Sequence, residues 1–362
     1  MRLADTKAIN ETISALIRTR KINTTLSSIF AIRPNSERII FNTEKEWPDD
    51  TLMAAVILKM LERSGSQAQA VTEKILNELV ANSHVFHYGE LEGNPYYRNI
   101  KISEAKRGRF TLTEGRYSDN QLLNYNEPVM DEDGIYIPSL GLIDHDFSYP
   151  CIREGDETWM AVTPNEIYTM KKPVKEAHGR VLTLGLGLGY YAYMTAMKDS
   201  VESVTIIEYQ PEVIALFEEY ILPRFICRDK ITVLQGDAIS FMQNLKDGEY
   251  DYCFADIWQG NADSSSYLKL KEICRGFSRT KMAYWIEESI VQSLMGYVIV
   301  EIAEAGCKNR GEEVPEAAAR DEEDRFKRDY IKKLLENESA ERPQQLLWYA
   351  DYRNILNLIS RH

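Results

Sequence analysis

The chain has 362 residues, a formal net charge of −13, and 44% hydrophobic against 27% charged residues. That length suits two domains, or one with appendages, around a large core. The acidic excess repels polyanions at long range, which makes nucleic acid an unfavoured partner. No apolar run is read as a membrane span and the N-terminus lacks a basic-then-apolar leader, so a cytoplasmic protein is the expectation.

Residues 1–83 read as a helical unit. Ile9, Ile13, Leu16 and Ile17 share one face, as do Leu52, Val56 and Met60, and then Val71, Ile75 and Leu79. Pro48 with Asp49 or Asp50 marks one helix start, and Ser64-Gly65-Ser66 separates the second helix from the third. The unit carries no chemical motif. Packing on a neighbour, covering an active site, or a homo-oligomer contact are its open roles.

Residues 84–162 turn to glycine, proline and tyrosine with short β-type runs, and predict a small antiparallel region. The runs are Arg109 to Thr113, Ile135 to Ile137, Leu140 to Ile143, Tyr149 to Arg153 and Thr158 to Val162, with Asp133-Gly134 and Glu154-Gly155 as turns. His84 and His87 stand three apart without a supporting set of metal ligands and read as surface or hydrogen-bonded histidines. Thr163-Pro164-Asn165-Glu166 predicts a capping box that opens a short helix ended by Pro173.

Residues 163–306 alternate strand and helix, which predicts a Rossmann-like, doubly wound, mostly parallel α/β sheet. Its strands are expected at Val181 to Leu184, Val204 to Glu208, Ile231 to Leu234, Tyr250 to Asp256 and Met282 to Ile286. Helices are expected to begin near Tyr190, Pro211, Ala238 and Ser264. The first strand runs into Gly185-Leu186-Gly187-Leu188-Gly189, where glycines permit positive φ and close approach of a ligand to the backbone. Free amides at the following helix start suit a carboxylate or phosphate, so a nucleotide-like ligand is expected. Glu208 ends the second strand 19 residues after Gly189, the spacing at which such folds grip ribose hydroxyls. Asp237, followed by Ala238, and Asp256 end the third and fourth strands. All three acids should gather beyond the carboxyl ends of the strands.

Gly185-x-Gly187-x-Gly189 followed by this series of acids resembles the class I S-adenosylmethionine (AdoMet)-dependent methyltransferases and their spermidine synthase relatives. The resemblance implies AdoMet as cofactor and assigns Gly185, Gly187 and Gly189 to its loop. It further implies Glu208 on the ribose, Asp237 with Ala238 near the adenine amino group, and Asp256 near the methionine amine or reacting centre. Asp256 is the candidate catalytic residue, positioning the nucleophile, with Tyr190, Tyr191 and Trp258 as candidate walls around the sulfonium. Asn165-Glu166-Ile167-Tyr168 is similar to the acidic segment that precedes the glycine loop in spermidine synthases, although a capped helix also explains Glu166. Gly187-x-Gly189-x-x-Ala192 satisfies a dinucleotide pattern as well, but acids along the whole pocket suit a sulfonium better than a pyrophosphate.

Methyl transfer to a small molecule or protein is the expected activity. Aminopropyl transfer and a non-catalytic AdoMet- or nucleoside-binding regulator remain open. Asp256-Ile257-Trp258-Gln259-Gly260 lacks the paired aspartates and proline of spermidine synthases, leaving Asp263, Glu287 or Glu288 as candidate substitutes. Ser289 to Ala305 reads as an apolar helix in which Tyr297 to Ile302 could be a strand. A polar break from Lys308 to about Ala319 and two further helices, the last running from Leu346 to Ile359, complete a helical extension over 307–362. The five cysteines, Cys151, Cys227, Cys253, Cys274 and Cys307, show no C-x-x-C spacing, against zinc and against a disulfide framework.

Overall fold

The computed structural model describes residues 1–31, 47–261, 263–312 and 321–361. At its centre lie five parallel strands: one, Gly179–Leu184; two, Val201–Glu208; three, Ile231–Gln235; four, Tyr252–Ala255; and five, Lys281–Tyr284. Their order across the sheet is three, two, one, four, five. This is the doubly wound Rossmann-like arrangement, and its switch point lies between strands one and four, where such sheets open a crevice. Strands one and four carry near-continuous apolar runs because helices cover both faces; Val181, Leu182, Leu184, Cys253 and Ala255 are fully buried.

Register places the site. Leu184 pairs with both Ile207 and Ala255, Ile207 also with Leu234, and Ala255 with Tyr284. The next residue on each strand therefore stands in one row at the carboxyl edge: Gln235, Glu208, Gly185, Asp256 and Trp285.

The β region forms two small sheets. Ser83–Phe86, Tyr136–Ile143 and Gln121–Met130 make one, and Ala105–Arg107, Phe110–Tyr117, Phe147–Glu154 and Glu157–Ala161 the other. Ser83–Phe86 pairs parallel to Tyr136–Ile143, so the region is not wholly antiparallel. The first helix, Lys7–Ile29, splits its apolar face between two cores. Leu26 joins Met53, Val56, Ile75 and Leu79 against the three-stranded sheet, whereas Ile9, Ile13 and Leu16 pack in the main core. Ile17 faces outward, 46% exposed.

Tyr297 to Ile302 is helical, within Glu287–Arg310. Burial of Ile290, Leu294, Val298 and Ile302 at steps of four defines the face it turns inward. This helix is long and apolar enough to cross a membrane, a length not anticipated from the sequence, but half of its apolar window is buried in the protein. It crosses Lys7–Ile29 at Gly306, where a Cβ would stand 2.7 Å from Ile13 Cδ1.

The helix ends at Gly311, with φ of +68°, and most of the expected polar break lies outside the described residues. Among the described residues the extension then holds three helices, not two: Glu322–Leu334, Pro343–Tyr349 and Tyr352–Arg361. Asp351 stops the apolar run between the last two by accepting the Arg353 amide at 2.9 Å. Ser339–Ala340 pairs in parallel with Arg2–Leu3, joining the helical extension to the short strand before the first helix.

Candidate active site

The three glycines of the loop do different work. A Cβ on Gly185 (φ +95°) would lie 2.0 Å from the Asp256 carbonyl oxygen, and one on Gly189 (φ +75°) 2.5 Å from Phe217 Cε2. Gly187 (φ +56°) has nothing within 4 Å of that position and lines a cleft of about 900 Å³. Gly185, Gly187, Leu188, Glu208, Asp237, Ala238 and Asp256 all border this cleft, whereas Gly189 packs behind it.

Glu208, only 8% exposed, draws the loop toward itself. Its Oε2 accepts the Leu186 amide at 3.1 Å and its Oε1 the Gln210 amide at 2.8 Å. A carboxylate offers about four lone-pair sites, so acceptor capacity remains for a ligand's hydroxyls. The loop is therefore not an open anion cradle as the glycine pattern suggested. One of its amides is committed to a carboxylate, which would repel a phosphate placed there.

Asp237 borders the cleft but is exposed, and its Oδ1 caps the helix Ala238–Asn244 by accepting the Ser240 amide at 2.8 Å. A further acid, Glu166, borders the cleft beside Asp256. The expected capping box is absent: Thr163 makes no side-chain cap bond in Pro164–Thr169, and Glu166 is turned into the cleft beside Asp256. Pro173 sits in the first turn of a second short helix, Lys171–Glu176, rather than ending the first. Tyr168 points away, donating its hydroxyl to Glu90 at 2.9 Å.

Burial pushes the Asp256 carboxyl up to about 7, and the charge of Glu208 adds to the effect. Burial likewise holds Glu166 well above the usual carboxylate range, with Asp256 adding repulsion. Among the described residues, no cationic side chain forms an ion pair with Glu166, Glu208 or Asp256. Three like-signed groups thus share one cleft without compensation, an arrangement that a cationic ligand relieves.

Tyr190, Tyr191 and Trp258 are at most 7% exposed and border the cleft. Tyr191 stacks on Phe254 with centroids 4.1 Å apart, and Trp258 Nε1 donates to the Trp285 carbonyl at 3.2 Å. Trp285 went unnoticed in the sequence. Its Nε1 donates to Thr169 Oγ1 at 2.9 Å and so ties strand five to the helix that carries Glu166. The proposed substitutes for a second strand-four acid do not reach the cleft lining. Glu287 is held by Tyr267 and Lys271 at 2.9 and 3.2 Å, and neither Asp263 nor Glu288 borders it. His84 and His87 pair separately with carboxylates, and all five cysteines are free thiols.

No protein-family model matches the chain, and no curated protein does. Among solved structures the chain is similar to spermidine synthase from Thermotoga maritima, at 14% identity over 43% of this chain and 60% of that one, with a TM-score of 0.30. It is also similar to a SAH-bound methyltransferase from Podospora anserina, at 16% identity over 52% and 67% of the two chains and a TM-score of 0.27. The chain thus spans about three-fifths of the synthase's length. Its class, a Rossmann-like α/β protein with an acid-lined cleft at the switch point, rests on strand order and register.

Proposed function

We propose that the chain is an AdoMet-dependent transferase, and that its reaction is methyl transfer to a small molecule or protein. The observation that carries this reading is the set of uncompensated carboxyls, Glu166, Glu208 and Asp256, in one cleft beside the glycine loop. Glu208, already ordered by two amides, has acceptor capacity left for both hydroxyls of a ribose. The free oxygen of Asp237 and the backbone at Ala238 suit the adenine edge. Asp256 and Glu166 together suit a cationic centre, and Tyr190 and Trp258 give that end apolar walls.

AdoMet, when bound, supplies an electrophilic methyl group on an already activated sulfonium. The chain's own part is then alignment and proton removal. Asp256, poised near neutrality, can orient an incoming nucleophile and take its proton. Glu166, beside it, can share that proton.

One observation favours aminopropyl transfer as a second reading. Strand four is followed by Gln259 where a second aspartate would be needed, but Glu166 brings a second carboxyl to Asp256 from another element. Turnover assays with AdoMet and with decarboxylated AdoMet, across panels of amines, hydroxylated small molecules and protein extracts, test both. Methylated product supports the first reading and an aminopropylated amine the second. Binding with no product in any arm would mark a sensor and overturn both.

A further inference from the structure

We propose that Tyr96 and Asn94, on a short segment outside the Rossmann-like unit, are positioning residues that set the glycine loop for its ligand; this rests on reading the cleft as an AdoMet site. Tyr96 is fully buried, and its hydroxyl donates to the carbonyl of Leu188 at 2.6 Å. Leu188 lies between Gly187 and Gly189, two residues at positive φ with no side chains to restrict them. The peptide unit joining Leu188 to Gly189 is thereby held at both ends, since the Gly189 amide donates to the Leu186 carbonyl at 2.9 Å. Without the phenol, only the amide end would be fixed.

Asn94 sets Tyr96 in place. Its Oδ1 accepts the Tyr96 amide at 2.9 Å, capping Pro95–Asn99, while its Nδ2 donates to the Tyr190 hydroxyl at 3.2 Å. Tyr190 borders the cleft, and its ring meets that of Tyr96 edge-on at 5.5 Å. Two residues of one short segment therefore hold the loop carbonyl and a wall of the cleft. Tyr193 is the natural control. Its hydroxyl accepts from Asn99 of the same segment at 2.6 Å and its ring packs on Tyr96 at 5.7 Å, but it touches neither the loop carbonyl nor the cleft.

The test compares Tyr96→Phe, Asn94→Ala and Tyr193→Phe with the unmodified chain, by calorimetric titration of AdoMet and by hydrogen exchange at residues 186–190. Tyr96→Phe should weaken AdoMet binding about tenfold, the weight of one buried hydrogen bond, and speed exchange across the loop. Asn94→Ala should do the same to a smaller degree, about threefold. Tyr193→Phe, which removes a partly buried hydrogen bond within the same tyrosine cluster, should leave affinity and loop exchange within twofold of the unmodified chain. Unchanged affinity in Tyr96→Phe, or equal losses in Tyr96→Phe and Tyr193→Phe, would overturn the assignment. If the unmodified chain binds no AdoMet, the cofactor reading fails and exchange alone decides: faster exchange confined to the Tyr96 and Asn94 variants supports the positioning role, and unchanged exchange refutes it. Should Tyr96→Phe not fold, Asn94→Ala carries the comparison.

Discussion

The carboxylate of Glu208 and the amide of Leu186 meet at 3.1 Å across the end of strands one and two, so the residue proposed to hold the ribose also holds the loop. Glu208→Ala should weaken AdoMet binding by about 1–3 kcal/mol, because the ligand's hydroxyls and two backbone amides lose their acceptor together. Glu208→Gln keeps the size of the side chain but removes its charge and turns an NH2 group toward one of those amides. Calorimetry should place its affinity below that of the unmodified chain. Equal affinity in both variants and the unmodified chain would detach Glu208 from the ligand.

Gly185 and Gly187 separate packing from access. Gly185→Ala drives a methyl into the Asp256 carbonyl and should cost about 3–5 kcal/mol in urea denaturation. Gly187→Ala meets open space and pays only for its left-handed backbone, about 1–2 kcal/mol. Its methyl borders the cleft, however, so AdoMet affinity should fall far more than stability does. Equal stability losses in the two variants would contradict this division.

Asp256 gives the site a pH signature. Its carboxyl is raised from 3.8 to about 7, so between those values the folded chain holds a proton that the unfolded chain releases. Stability from this group is therefore lost as pH rises from about 4 to about 7, while affinity for a cation grows over its upper part. Asp256→Asn should raise Tm at pH 8 but not at pH 5, and lower kcat by about 10²-fold or more. A Tm gain of equal size at both pH values would show that Asp256 is not the titrating group.

A second set of groups also titrates with raised values and loses its stabilisation in the same direction, with rising pH. His87 reaches Asp144 at 2.6 Å and Asp49 at 3.1 Å, and His145 reaches Asp144 at 2.6 Å and Glu92 at 2.9 Å. Each imidazole meets a carboxylate at both nitrogens, a geometry that calls for two N–H donors. Hydrogen bonds donated to Asp144 and Asp49 raise His87; burial opposes the rise at His145, but Asp144 and Glu92 outweigh it. Their stabilisation is complete below the ordinary histidine value and is lost as pH climbs through the raised ones. Thermal unfolding of His87→Asn should show a shallower fall in Tm across this upper range than the unmodified chain; an identical slope would exclude the network.

The central sheet was legible because its inner strands are short, mostly apolar runs ended by glycine or an acid, and the edge strands keep β-branched or apolar residues between turns; all five lie within three residues of their expected limits. Gln121–Met130 was missed because Leu122 and Leu123 are both buried and two register shifts break the alternation. Glu166 was read as a cap since Thr163-Pro164-Asn165-Glu166 satisfies a local rule, and only the packing of its helix, tied down through Thr169 and Trp285, turns it into the cleft. Asp237 was legible as an acid at a strand end but not as the N-cap it also is. The bond from Tyr96 to Leu188 spans 92 residues of chain, and no local pattern announces it.

On the proposed reading the cleft selects a cationic nucleoside over an anionic dinucleotide. Parallel calorimetric titrations of the unmodified chain with AdoMet and with NAD at pH 8 test it most directly. The acid-lined cleft predicts saturable, single-site binding of AdoMet and no measurable binding of NAD; saturable NAD binding with no response to AdoMet would contradict it.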